Sequence, residues 1–188
     1  YLAKMAGIDE ALMVLVSPSL RVALVTSHIP IKQVSESLSV DLIYNKILTF
    51  NKSLVQDFGI GKPKIAVLGL NPHAGENGKI GTEEIKKINP AVKVCRDMGI
   101  NVSYAISADT AFTAKKLKQT DVYLAMYHDQ ALPVLKALSF GEAVNITLGT
   151  GIVRTSVDHG TALDIAGKMK PNLGSIKEAI KAAEVQLK

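Results

Sequence analysis

The chain has 188 residues, 47% hydrophobic and 21% charged, which suits a folded domain with a real core and excludes intrinsic disorder, while its longest apolar stretches, 11–16 and 65–70, fall far short of the ~20 residues that cross a bilayer. Lys and Arg exceed Asp and Glu by 22 to 17, but they are scattered, and 5% aromatics without Trp give neither a basic stripe nor a stacking platform, so nucleic acid is not an expected partner and an anionic small molecule is. The single cysteine, Cys95, excludes an internal disulfide and a thiolate-rich metal cage, and fits a cytoplasmic setting.

In chain order, the β-branched runs 11–17 and 22–26 read as strands, followed by His28 and a helix over 34–58. The run 64–70 is a third strand, leading into the loop 71–81 with His73 and several glycines. A helix is expected over 82–98, with Thr82 as its cap and Glu83 and Glu84 in the first turn, where the helix dipole favours negative charge. Pro90 should kink or split it, and Cys95 within it reads as buried and inert. Strand 102–106 precedes Asp109 and a helix over 110–117; strand 122–127 precedes His128, Asp129 and a helix over 133–138. Strand 143–148 and a last helix from Gly174, after a loop at 171–174, complete the pattern. Continuous apolar runs alternating with helices indicate an α/β fold with a mostly parallel sheet flanked by helices. Met13, Met98 and Met126 read as core filler rather than ligands.

His28, His73 and His128 all fall where a strand gives way to a loop. Ligand sites of open α/β sheets lie at the carboxyl ends of strands, so converging imidazoles there would make a three-histidine metal centre with open positions. The alternative is three ordinary loop or core histidines, since no HExxH-type spacing ties them together. The loop 71–81 is neither a Walker A loop nor a dinucleotide fingerprint; it reads either as a surface turn or as a binding loop before a helix N-terminus. Asp129 could orient a ligand, accept a proton or cap a helix, and Asp109 is similar. Lys136, Asn145 and Arg154 are polar groups near elements expected to be buried, and Arg and Lys are the natural clamps for carboxylate and phosphate.

The stretches Thr26-Ser-His-Ile-Pro30, Leu70-Asn-Pro-His-Ala-Gly-Glu76, Tyr127-His-Asp-Gln130, Val144-Asn-Ile-Thr-Leu-Gly149 and Arg154-Thr-Ser-Val-Asp-His-Gly-Thr-Ala162 resemble the 4-hydroxythreonine-4-phosphate dehydrogenases of vitamin B6 biosynthesis. The resemblance covers residues 1–188 in order. It implies a divalent metal, with Zn foremost and Mg or Co as alternatives, held by His28, His73 and His128. It also implies substrate contacts from Lys136, Asn145 and Arg154, with Asp109 and Asp129 as candidate catalytic groups near the metal. The segment His159-Gly-Thr-Ala-Leu-Asp-Ile-Ala-Gly167 is similar to the adenosine-lining segment of isocitrate and isopropylmalate dehydrogenases, which implies that fold without a Rossmann fingerprint. It assigns His159, Gly160, Thr161, Ala162 and Asp164 to NAD or NADP.

The implied reaction is metal-assisted oxidation of 4-phosphooxy-L-threonine, followed by decarboxylation to 3-amino-2-oxopropyl phosphate, in a homodimer whose metal site is shared across the interface. Two departures from the family pattern are Ala131 in place of a glycine and Thr150-Gly151 in place of Leu-Pro. Family members also carry more than a hundred further residues ahead of the point where Tyr1 stands, including a glycine-rich loop and a substrate-binding His-Thr pair. The chain is therefore expected to be the later part of a two-subdomain enzyme, with little activity alone. The alternatives are a metal-dependent hydrolase or lyase built on the same histidines, or a non-catalytic phosphate-binding module.

Overall fold

The computed structural model describes residues 5, 7, 11–160, 163–168, 170 and 172–187. Six strands, β1 (Leu12–Val16), β2 (Arg21–Leu24), β3 (Ile65–Val67), β4 (Val122–Ala125), β5 (Val144–Leu148) and β6 (Thr155–Val157), form one sheet in the order β3-β4-β2-β1-β5-β6. The helices are α1 (Ile31–Ser37), α2 (Val40–Gln56), α3 (Asn89–Asp97), α4 (Ala114–Leu117), α5 (Leu132–Ser139) and α6 (Gly174–Gln186). The expected α/β class holds, but the sheet is mixed rather than mostly parallel. β3, β4 and β2 run parallel, whereas β2–β1, β1–β5 and β5–β6 are antiparallel. The short connection 17–20 can only return the chain antiparallel. Ser17 fixes it, its Oγ accepting from the Leu20 N–H at 3.1 Å and its own N–H donating to the Leu20 carbonyl at 2.9 Å.

The expected helix over 34–58 is two helices. Buried Leu38 takes an extended conformation, and Ser39 then caps α2 by accepting the Leu42 N–H at 3.0 Å. Pro90 splits the next helix as expected: a π-helical turn, Glu84–Ile88, passes into α3 with Pro90 in its first turn, where its missing N–H is no loss. Thr82 does not cap this segment; the position falls on Glu83, and no side chain caps it.

Side chains of the parallel strands alternate between two buried faces. Ala23, Ile65, Val67, Val122 and Leu124 pack with Ile43, Ile47, Phe50 and Leu54 of α2 and with Ala91, Val92 and Cys95 of α3. Val22, Leu24, Ala66, Tyr123 and Ala125 pack with Leu132 and Leu135 of α5. Strands covered on both faces need the continuous apolar runs that the sequence shows. β5 differs: Val144, Ile146 and Leu148 face the first layer, so Asn145 and Thr147 lie on the second face. Met126 is fully buried and Met13 packs against the second layer, but Met98 is 58% exposed and is no core filler. No described helix is long and apolar enough to cross a membrane.

Candidate active site

Each of the three parallel strands delivers one of the singled-out histidines from its carboxyl end. β2 continues past Leu24 through bonds from Val25 and Thr26 to Ala125 and Met126, then turns to His28. β3 leads to His73 and β4 to His128. The His28 and His128 rings stand 5.6 Å apart between centroids, tilted by 44°, and line a small cleft of about 260 Å³ with Ile29, Val34, Tyr127 and Asp129. Asp129 holds the His128 Nδ1 at 2.6 Å, which fixes the imidazole's tautomer and leaves Nε2 free to ligate.

His73 lies in a larger neighbouring cleft of about 680 Å³, lined also by Asn71, Ser107, Asp109, Asp129 and Gln130. Its Nδ1 is 4.0 Å from Asp109 Oδ2. The Ser107 hydroxyl donates to Asp109 Oδ1 at 2.5 Å and, with the nearby His73 ring, holds the Asp109 carboxyl below its usual range. Tyr127 and Asp129 line both clefts, so the two sites share a wall. Among the described residues, no three His, Cys, Asp or Glu side chains converge as a metal centre. The donor set fits a divalent cation in kind, since neutral imidazoles are ligands of zinc and its neighbours. Within the chain His28 and His128 stand side by side and His73 stands apart.

Sequence reasoning gave Gln130 no role, yet it joins two of the histidine strands. Its Oε1 accepts the Met126 N–H at 2.7 Å and its Nε2 donates to the Gly69 carbonyl at 2.5 Å. A primary amide suits this bridge because it carries an acceptor and a donor on separate atoms of one plane. Of the two glutamates expected at the helix start, Glu84 does lie in the first turn and Glu83 stands at the cap position, and both have a second role. Their carboxylates turn back to Asn71, two residues before His73. The pairing Asn-x-His followed by two glutamates was visible in the sequence, but its meaning depends on a turn that no periodicity reveals.

Lys136 sits on α5 with its Nζ 3.9 Å from Asp158 Oδ2 and 3.4 Å from the Asp158 carbonyl. The Asp158 side chain is nearly buried and accepts from Ser175 Oγ at 3.2 Å. Arg154 Nη1 donates to Thr147 Oγ1 at 2.9 Å, on the same face as Asn145, whose buried Oδ1 has no hydrogen-bond partner among the described residues. Lys136, Asn145 and Arg154 therefore belong to one side of the sheet. His159 joins Lys136, Phe140, Asp158 and Ile165 around a cleft of about 200 Å³, and its Nδ1 lies 2.9 Å from the Gly160 carbonyl oxygen. Asp164 is exposed in the 3-10 turn Leu163–Ile165. Thr161 and Ala162 lie outside the described residues. Cys95 is buried, and burial pushes its thiol up to about 11, so it is inert as expected.

Comparison with known proteins gives this geometry a context. The chain is 49% identical over 183 residues to a 4-hydroxythreonine-4-phosphate dehydrogenase of Shewanella frigidimarina, covering 97% of this chain and 56% of that protein. A Marinobacter nauticus protein of the same name is 50% identical, with 98% and 55% covered. Thus the chain spans about half the length of the curated relatives it matches. Among solved structures, a 4-hydroxythreonine-4-phosphate dehydrogenase from Klebsiella pneumoniae superposes with a TM-score of 0.89 at 37% identity, covering 100% of this chain and 56% of that one. A terephthalate 1,2-cis-dihydrodiol dehydrogenase from Burkholderia xenovorans gives 0.80 at 28% identity, with 98% and 59% covered. The family model of the pyridoxal phosphate biosynthetic protein PdxA matches residues 1–183, and the chain belongs to that family.

Proposed function

We propose that this chain carries the metal-, substrate- and cofactor-binding part of an NAD-linked dehydrogenase acting on 4-phosphooxy-L-threonine. The observation that supports it most is the delivery of His28, His73 and His128 from the carboxyl ends of three adjacent parallel strands. These three imidazoles would hold the divalent ion; because His73 stands apart from the other two within one protomer, completion of the set across a homodimer interface fits the arrangement. When bound, such an ion supplies a Lewis acid that favours loss of the substrate hydroxyl proton. His159, Gly160, Thr161, Ala162 and Asp164 would hold NAD, which would supply the hydride acceptor.

The rest is the work of the chain's own groups. Asp129 orients the His128 ring. Asp109, kept ionised by Ser107, opens into the same cleft as His73 and is placed to take a proton from a substrate there; Asp129 lines that cleft too. Lys136, steadied by Asp158, and Arg154 offer cations to a phosphate and a carboxylate, and the unpartnered Asn145 Oδ1 offers an acceptor to a substrate hydroxyl or ammonium. Oxidation of the secondary alcohol gives a β-keto acid, which loses carbon dioxide readily. Two structural neighbours named as dehydrogenases favour this chemistry over a hydrolase on the same histidines.

The test has two parts. Metal analysis should show stoichiometric metal in the unaltered chain and its loss in His28→Ala, His73→Ala and His128→Ala; unchanged binding refutes the ligand set. Absorbance at 340 nm with NAD and substrate, in the full-length enzyme, should report NADH, and turnover without it refutes the dehydrogenase. The 188-residue chain alone is expected to turn over little or nothing.

A further inference from the structure

Five consecutive residues after Pro72 take left-handed backbone angles: His73 (φ 52°), Ala74 (50°), Gly75 (78°), Glu76 (42°) and Asn77 (55°). Four of them carry a Cβ, which in the left-handed form crowds the following carbonyl oxygen. A left-handed turn persists only where its surroundings over-determine it. His73 is its first residue, so the turn sets where that imidazole points.

What holds the turn is Asn71. Its carbonyl accepts the Ala74 N–H at 3.1 Å, closing the first turn. Its own N–H donates to Glu84 Oε1 at 2.8 Å, and its Nδ2 donates to Glu84 Oε2 at 2.9 Å and to Glu83 Oε2 at 2.7 Å. Glu84 is 2% exposed, so these charge-assisted bonds are formed away from water, where they are strongest. Glu83 is anchored in turn by the Ser35 hydroxyl of α1, whose carbonyl accepts from Lys87 Nζ at 2.7 Å. No slack surrounds the clamp: a Cβ on Gly75 would lie 2.6 Å from Glu84 Oε2, and one on Gly81 would collide with the Asn71 side chain.

We propose that Asn71 is the positioning residue of His73, using Glu83 and Glu84 to hold a left-handed turn that aims the imidazole. This rests on the reading of His73 as a metal ligand. Two measurements on the 188-residue chain test it separately from that reading. The first is amide hydrogen exchange over residues 74–80 without metal, which should accelerate in Asn71→Ala and, by a smaller factor, in the milder Glu83→Gln.

The second is Co²⁺ titration followed by absorbance in a double-mutant cycle. Asn71→Ala should weaken Co²⁺ binding roughly 10- to 100-fold, as loss of groups that orient a ligand does. It should cause no further loss in a His73→Ala background, whereas a merely structural role would add to it. Wild-type exchange in both variants, or additive losses in the cycle, would overturn the proposal. Full Co²⁺ affinity in His73→Ala would instead refute the metal reading, and amide exchange would still judge the clamp.

Discussion

The two halves of the sheet are built on different terms. Along β3-β4-β2 every strand is buried on both faces, and the loops leaving it are tied down by Gln130, Asn71, Glu83 and Glu84. Along β1-β5-β6 the second face turns polar at Asn145 and Thr147. The segments beyond leave large apolar groups in solvent: Ile152 is 61% exposed, Leu163 78% and Phe140 84%. The histidines proposed for the metal thus follow strands covered on both faces and loops hydrogen-bonded back to them, while the residues proposed for NAD and phosphate follow strands with one polar face. If the histidines hold a metal, the ties lie where an imidazole must be aimed, since metal ligation tolerates little error in direction.

Substitutions in the two halves can break this contrast. The largest effect is expected in the core beneath the parallel strands, where Phe50 is fully buried; Phe50→Ala should cost about 3–5 kcal/mol in denaturant unfolding. The same substitution made at two glycines sharpens the point. Gly75 has φ +78° and a crowded Cβ position, whereas Gly151 has φ +70° with nothing within 4 Å. Gly75→Ala should cost roughly 2–5 kcal/mol, from strain plus overpacking, and Gly151→Ala only about 1–2 kcal/mol, from strain alone. Equal losses would show that the clamp is no tighter than the open loop.

The smallest effect is in acid. Hydrogen bonds from Ser35 and then Asn71 lower the Glu83 carboxyl from its ordinary 4.5 to about 2. Because the folded value is depressed, its contribution is fully present above about pH 4.5 and is lost as pH falls towards 2. Acid-unfolding curves of the wild type should therefore carry a slope across that window that Glu83→Gln lacks.

Much of the parallel half was legible, since strands buried on both faces leave long apolar runs and the histidines follow them directly. The run 102–106 shows where that logic stops. Interrupted by Ser103, it makes two isolated bridges, Val102 to Ile65 and Ile106 to Leu68. Backbone bonds join the Ser103 N–H to the Ile65 carbonyl and the Ile106 N–H to the Val67 carbonyl, but side chains take others: Arg96 donates to the Val102 carbonyl, Asn89 accepts the Ala105 N–H, and Ser103 Oγ accepts the Val67 N–H. β6 was not anticipated, because Thr155–Val157 is three half-buried residues whose one strand neighbour among the described residues is β5. The left-handed turn was equally hidden, because it involves ordinary residues bonded to carboxylates that lie a dozen positions further on, at the start of the next helical segment.

The pairing of β2 with β4 has a kinetic consequence. Thr26 bonds through its hydroxyl to the Met126 carbonyl at 2.7 Å, across a hundred positions of chain. His28 and His128 inherit that separation. Contacts so distant in sequence close slowly and late, after the β1–β2 hairpin has formed from its own neighbours. A metal ion bridging these histidines would then bind nothing until folding is nearly finished, and would act as a latch on its final step, raising the thermal midpoint in proportion to the logarithm of free metal.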